Sequence, residues 1–415
     1  MSIRLQLTGM AHGGEALGRH EGKVIFVPYA LPGEEVLVEV VQDKGRYARA
    51  RLLEVVRPSP DRVEPRCPHF GTCGGCQWQH IAYEAQLRFK EQILHDQLER
   101  IGGVSKPPLK PSLGAHDPWF YRNHVQFHLN EEGRLGFLTF RGWEVVPIEV
   151  CYIMHPLIEE VFRALDLAFP QLKRVSIKVG TRTGQKLLIL EMEEDVIPAL
   201  KVDEPLSCVE FLSDGTLLTL VGDSHIVEEV GGRCFRISAA SFFQVNTEQL
   251  ERLIEVVRGY LAPEGHEVLL DAYCGVGTFG LSLAGEVGQV IGVEESDSAL
   301  ADARFNAQYE SIPAGEGEKV EFIGGRVEDI LPDLAEVDVA ILDPPRQGCG
   351  REAITHLVGL APAKIIYVSC DPATLARDTK RLREGGYHLV EAQPVDMFPQ
   401  TYHIEAVALL ERSTS

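Results

Sequence analysis

The chain has 415 residues, 45% of them hydrophobic and 24% charged. Those proportions exclude a largely disordered chain, a collagen-like fibre and a disulfide-dense miniprotein. With 40 Lys and Arg against 61 Asp and Glu, the net charge of −21 excludes a nucleic-acid binder that works by bulk attraction.

At roughly 150 residues per domain, the length predicts two or three domains. No run of roughly 18 apolar residues occurs, so no membrane helix is expected. The first residues, Met1-Ser-Ile-Arg-Leu-Gln-Leu7, lack the basic-then-apolar layout of a secretory signal, and a cytoplasmic location is the expectation. The charge is uneven. Residues 1–130 hold 16 Lys and Arg against 14 Asp and Glu, and the acidic excess lies entirely in the remainder. A polyanionic partner must therefore meet local basic patches, in a salt-dependent way.

Residues 1–56 read as a small all-β unit. Short apolar stretches over residues 23–28, 35–41 and 48–56 are broken by Gly and Pro, with no room for helices. Close strand spacing suggests a five-strand, OB-like barrel. Lys44, Arg46, Arg49 and Arg51 fall on its last hairpin with Tyr47 among them, either as a phosphate-facing edge or as an ordinary solvated face. Residues 57–66 carry three prolines and read as a linker.

Nine cysteines occur, and Cys67, Cys73 and Cys76 crowd into ten residues. In a reducing compartment they are not expected to pair as disulfides. With Cys151 as the fourth thiolate, the set suits zinc or an iron–sulfur cluster. Zinc sites usually use two short pairs, whereas here three cysteines come together and one is distant. That favours a cubane. The spacing Cys67-x5-Cys73-x2-Cys76 also departs from C-x3-C-x2-C, so a radical reaction of S-adenosylmethionine lacks its signature.

Apolar positions between His80 and Ile101 predict a helix closed by Gly102-Gly103. From about 118 to 235, strand-like runs such as residues 125–129, 135–138 and 186–191 predict a mixed, mainly β middle region. From about 245 the texture becomes alternating helices and apolar strands: a helix over 247–261, and strands over 267–271, 290–294, 337–343 and 364–369. This is the pattern of a doubly wound parallel sheet.

Four motifs sit at strand ends of that last region. Asp271-Ala-Tyr-Cys-Gly-Val-Gly-Thr-Phe279 follows a strand, and Glu294 closes the next. Gly275 and Gly277 allow close approach to a ligand, and a carboxylate at the second strand end can take both ribose hydroxyls. Gly280 falls one residue late for a dinucleotide fingerprint, so the pattern is closer to an S-adenosylmethionine site. Asp343-Pro-Pro-Arg346 directs a carboxyl to the crevice. Its fourth residue is a cation where amino-group methyltransferases place an aromatic. Cys370, in Ser369-Cys-Asp-Pro372, is a thiol at a strand end, a nucleophile if its proton can be removed. Glu405, just before an apolar strand over 406–410, is a candidate general base. The plainer readings are a buried structural cysteine and a solvated carboxylate.

Together these segments resemble the S-adenosylmethionine-dependent RNA uridine-5-methyltransferases, which act on tRNA and 23S rRNA. The matching stretches run in order through nearly the whole chain: Gly74-Gly-Cys-Gln-Trp-Gln-His80, Tyr121-Arg-Asn123, Phe242-Phe-Gln-Val-Asn246, the Asp271 motif, Asp343-Pro-Pro-Arg346, Ser369-Cys-Asp-Pro-Ala-Thr374 and His403-Ile-Glu405. The resemblance implies an α/β architecture. It divides the chain into an OB-like TRAM barrel (1–56) that holds RNA, a central iron–sulfur and RNA-binding domain (57–235), and a Rossmann-like methyltransferase domain (236–415). It implies Cys370 as nucleophile and Glu405 as base. Gln244, Tyr273, Thr278, Glu294 and Asp343 would contact the S-adenosylmethionine donor, and Cys67, Cys73, Cys76 and Cys151 would ligate a [4Fe–4S] cluster of structural role. The partner is RNA, with 23S rRNA favoured over tRNA, and a monomer is expected. Two departures stand out: His124 replaces an expected Lys after Tyr-Arg-Asn, and Arg326 lies near the place of an adenine-contacting polar residue. A catalytically silent RNA-binding protein and an iron–sulfur redox protein acting on nucleotides are the alternatives from other classes.

Overall fold

The computed structural model describes residues 2–165, 171–195, 205–315 and 317–413. Strands β1 (Ser2–Met10), β2 (Ala16–His20), β3 (Lys23–Val27), β4 (Glu35–Asp43) and β5 (Tyr47–Arg57) close a barrel in the order β1-β2-β3-β5-β4. Alternation sends Leu5, Leu7, Ile25, Val27, Val36 and Val38 inward to one core. Gly18 is required where β2 crosses β1, because a Cβ there would lie 2.4 Å from the Gln6 carbonyl oxygen. The basic hairpin is only partly free. Arg49 is bonded to Glu15 at 2.7 Å and Arg51 to Glu39 at 2.5 Å. Lys44 and Arg46 at the tip carry no ion pair among the described residues.

The linker and the three clustered cysteines lead into helix α1 (Tyr83–Arg100). It starts later than the apolar pattern predicts. Residues 78–82 form a turn instead, fixed by the buried Gln86 side chain, which donates to the Trp78 and Ile81 carbonyls. Strands β6 (His124–Leu129), β7 (Leu135–Leu138), β8 (Val145–Pro147), β9 (Leu172–Val179), β10 (Lys186–Met192), β11 (Ser207–Phe211) and β12 (Leu217–Val221) form a seven-stranded sheet in the order β12-β11-β10-β9-β6-β7-β8. Helix α2 (Pro156–Ala164) contributes Ile158 and Val161 to the core over Phe127, Val175 and Ile177. A two-stranded ribbon, β13 (His225–Val230) and β14 (Arg233–Ser238), follows.

Helix α3 (Thr247–Leu261) opens the last layer. Then come β15 (Val268–Ala272), α4 (Thr278–Leu283), β16 (Gln289–Glu294), α5 (Asp297–Tyr309), β17 (Val320–Gly324), α6 (Val327–Ile330), β18 (Val339–Leu342), α7 (Arg351–Leu360), β19 (Lys364–Ser369), α8 (Pro372–Glu384), β20 (Tyr387–Val395) and β21 (Glu405–Arg412). The sheet order is β17-β16-β15-β18-β19-β21-β20. The first five strands are parallel, and β21 runs antiparallel between β19 and β20 because a loop rather than a crossover helix joins the last pair. The order reverses between β15 and β18, which opens a crevice at the strands' carboxyl ends. Helix α1 packs on this layer through Leu94 and Leu98, which share a core with Leu270 and Leu375.

Candidate active site

The crevice is built from four strand ends. After β15 the chain turns through three left-handed residues, Tyr273 (φ 63°), Gly275 (φ 56°) and Gly277 (φ 85°). Asp271 anchors this turn: its Oδ2 accepts the Gly280 N–H at 2.7 Å, while Oδ1 is buried without a partner. This explains the late glycine, since a Cβ at 280 would lie 3.0 Å from Asp271 Oδ2 and 2.8 Å from Val290. Glu294 at the end of β16 accepts the N–H of Gly275 at 2.9 Å and of Ser296 at 2.8 Å. Thr278 begins α4, and the Tyr273 side chain packs beside Cys349 rather than against Glu294.

Asp343 leaves β18 to face Asp271 and the Gln244 side chain. Burial pushes both carboxyls up to about 7. The Asp271 charge adds to this at Asp343 and Gln244 opposes it, while Gly280 N–H opposes it at Asp271. Gln244 lies on a stretch clamped from several sides. Asn123 donates to its carbonyl at 3.0 Å, and Asn246 caps α3 by accepting the Gln249 N–H. The turn before it is gripped by two buried charges. Lys178 donates to the carbonyls of Ser238, Ala239 and Ser241, and Asp302 accepts from the Ser238 N–H and the hydroxyls of Ser238 and Ser241. His124 lies beside this clamp. Burial lowers that imidazole to about 3, so it is neutral, and its cross-strand neighbour is Lys178. A buried cation therefore stands beside it on the adjacent strand. Arg326 is exposed and paired with Glu328.

Ser369 of β19 pairs with Ala406 of β21, which brings the adjoining Cys370 and Glu405 to the same sheet end. Glu405 is the first residue of β21, not a loop residue before it. Burial pushes the Cys370 thiol up to about 12, and the Glu405 charge adds to it while Arg346 opposes it. Glu405 is held well above the ordinary carboxyl range by burial and by Asp343, again opposed by Arg346, and its Oε1 is buried without a partner. Arg346 is thus the cation that faces both groups. It lies 3.3 Å from His403 Nδ1, and burial, with Arg346 next, lowers that imidazole to about 3, leaving Nδ1 as the acceptor. Asp371 caps α8 and meets His12, from the barrel's β1–β2 loop, at 3.5 Å.

Apart from the crevice, Cys67, Cys73, Cys76 and Cys151 line one cavity of about 60 Å³ with Arg122. Burial raises all four thiols, Cys151 to about 11. All nine cysteines are free thiols. Among the described residues, no three His, Cys, Asp or Glu side chains converge as ligands to one metal ion. The Nε of Arg122 is buried there without a partner.

The sequence reading named Cys370, Glu405, Gln244 and Asp343, and the fold draws these four into one electrostatic group. It linked Glu294 to Asp271 through the glycine turn. It gave no role to Asp271 beyond its motif, and named Arg346 only as a cation near the substrate. His12 carried no signal, because its meeting with Asp371 depends on how the barrel docks.

Such a crevice, with a thiol, acids and a cation at the ends of a doubly wound sheet, has the layout of a Rossmann-like methyltransferase fold. The comparisons name its class. Residues 223–413 match the family model described as tRNA (Uracil-5-)-methyltransferase, and residues 2–53 match the TRAM domain. A protein of Thermosynechococcus vestitus named an uncharacterized RNA methyltransferase is 37% identical, over 99% of this chain and 98% of its own. One of Streptomyces avermitilis with the same description is 36% identical, over 98% and 97%. The Pyrococcus abyssi tRNA (uracil-54, C5)-methyltransferase, solved with S-adenosyl-L-homocysteine, superposes with a TM-score of 0.77 at 27% identity, over 98% of this chain and 100% of that one. The chain belongs to the S-adenosylmethionine-dependent RNA uracil-5-methyltransferase family.

Proposed function

We propose that the crevice methylates C5 of one uridine in a structured RNA through a transient bond between Cys370 Sγ and uracil C6. The observation that carries this reading is the pairing of Ser369 with Ala406, which sets a thiol beside a buried carboxyl at one sheet end. Uracil C5 is a poor nucleophile. The Cys370 thiol loses its proton to water, and the thiolate adds to C6. The C5=C6 bond opens into an enolate. C5 then takes the methyl from the donor sulfonium, whose carbon–sulfur bond breaks to leave neutral S-adenosylhomocysteine. Glu405 removes the C5 proton, the C6–Sγ bond breaks, and the C5=C6 bond returns. Arg346 favours the charged forms of both Cys370 and Glu405. Gln244, Tyr273, Thr278, Glu294 and Asp343 hold the donor in this reading. The base must leave its stack to reach the thiol.

The cysteine cavity fits a [4Fe–4S] cluster held by Cys67, Cys73, Cys76 and Cys151. A cubane holds its thiolates further apart than a single ion does, which suits four thiols around one cavity without convergence on a point. The unpartnered Arg122 Nε suits a cluster of net negative charge. When bound, such a group supplies structural cross-linking. Its neighbours serve the catalytic side: the Gln77 and Trp78 N–H groups both donate to the Gln400 carbonyl, and the Tyr121 hydroxyl donates to that of Pro399, in the loop leading to Glu405. The division into barrel (1–56), cysteine-bearing middle (57–235) and methyl-transfer unit (236–415) belongs to the same proposal.

The sequence reading favours 23S rRNA, and the likeness to the Pyrococcus enzyme supports tRNA. One assay separates them. Methyl-labelled S-adenosylmethionine is incubated with unmodified tRNA or 23S rRNA transcripts, beside Cys370→Ala. The expected result is label in 5-methyluridine of one RNA, with turnover lost by at least about a thousandfold in the variant. Full turnover by Cys370→Ala would overturn the covalent route.

A further inference from the structure

Trp143 is 90% exposed, the highest value among the exposed large hydrophobic residues described. It stands on the β7–β8 turn, whose shape is tightly set. Arg141 is left-handed at φ 62°, a conformation that side-chain-bearing residues rarely adopt. Thr139 N–H donates to the Glu144 carbonyl, Gly142 N–H donates to that of Thr139, and a Cβ at 142 would lie 2.1 Å from Thr139 Oγ1. The turn is docked from beneath. Thr139 bridges to Cys73, and Gly74 N–H donates to the Leu138 carbonyl. Arg141 lies over the Phe140 ring at 4.9 Å and is bonded to Glu15 of the barrel at 3.0 Å. A fixed turn therefore presents an indole that is almost wholly exposed.

The turn stands at the mouth of the crevice. Phe140 packs edge-on to Tyr402, whose ring lies 4.4 Å from His403, and His403 meets Arg346. On its other side, Glu15 lies in the loop that carries His12 to Asp371, next to Cys370. A uridine extracted into the crevice leaves unstacked neighbours at this rim. An aromatic ring supplies a sequence-tolerant surface for such bases. A protein-docking patch would instead group several apolar side chains, and here the indole lies between Arg141 and Glu144.

We infer that Trp143 is a stacking platform for an unpaired base flanking the target uridine. This rests on the RNA-methylating reading of the crevice. The test compares wild type with Trp143→Ala and Trp143→Phe, using the transcript that accepts methyl groups and a single-stranded 12-mer of adenylate. The chain has three tryptophans. Trp78 is fully buried and Trp119 is half-buried under Arg66 at 5.3 Å, so the RNA quenching that disappears in Trp143→Ala reports on Trp143. Both RNAs should quench the wild type, and Trp143→Ala should lose that response. Its KM and Kd for the transcript should rise roughly tenfold with kcat at saturation unchanged, and Trp143→Phe should recover most of the affinity. Unquenched wild type with both RNAs, or affinity within twofold in Trp143→Ala, would overturn the inference and leave the turn to a protein partner. Failure of the wild type to methylate any RNA would instead break the parent reading, because the quenching by adenylate is scored without methyl transfer.

Discussion

The crevice at Cys370 and the cavity at Cys76 both hold thiols that burial keeps protonated. What faces them differs. In the cavity, four thiols surround one space with one guanidinium, which Tyr121 and the thiols face. In the crevice a single thiol meets three carboxyls and one cation. A buried group that must stay charged needs a permanent partner, whereas one that is charged only during a reaction can wait for its ligand. On the proposed reading the cavity is the one that takes a resident group. The crevice is arranged so that charge develops when substrates enter.

Replacing the crevice's base is the sharpest break of that comparison. Glu405→Gln keeps the shape of the side chain and removes its ability to take a proton. Turnover should fall by roughly 10²–10⁴. Addition and methyl transfer precede the lost step, and removing the Glu405 charge makes the thiol easier to ionise. A protein–RNA adduct that survives denaturing electrophoresis should therefore accumulate. Absence of that adduct, with donor binding intact, would remove Glu405 from the elimination step.

The cavity predicts a different failure. Cys151→Ala should lose iron, acid-labile sulfide and visible absorption, and should lower stability by about 4 kcal/mol or more, the range seen when a structural metal is lost. The damage should spread to turnover because Gln77, Trp78 and Tyr121 hold the 399–400 backbone. Unchanged iron content in Cys151→Ala would exclude it as a ligand.

Much of this contrast is legible in the chain. The strand ends could be read because β15, β16, β18 and β19 are near-continuous apolar runs that stop at Asp271, Glu294, Asp343 and Cys370, as buried parallel strands must. The four cysteines could be grouped by type alone. What stayed hidden depended on register and docking. Lys178 stands beside His124 only because β6 and β9 align those two residues. Arg49 and Arg51 look like a basic edge until the fold presents Glu15 and Glu39 to them. The start of α1 moved because a buried glutamine captured the preceding turn, which no periodicity records.

The smallest effect separates the two sites by proton release. Asp271 and Asp343 have both been pushed up from the ordinary carboxyl range to about 7, chiefly by burial. In that window the folded protein binds protons that the unfolded chain has already lost, so these groups make the donor-free protein less stable as pH rises from about 4 to 7. A sulfonium favours their charged forms. Binding of S-adenosylmethionine should therefore release protons near pH 6, tighten by up to roughly tenfold per pH unit and per carboxyl as pH rises toward 7, and level off above about pH 8. Calorimetry in two buffers of different ionisation enthalpy measures that release directly. Asp343→Asn should flatten the profile, while S-adenosylhomocysteine, which lacks the sulfonium charge, should show a weaker slope with the wild type. Equal slopes for the two ligands would mean that the carboxyls answer to crevice closure rather than to the charge of the donor.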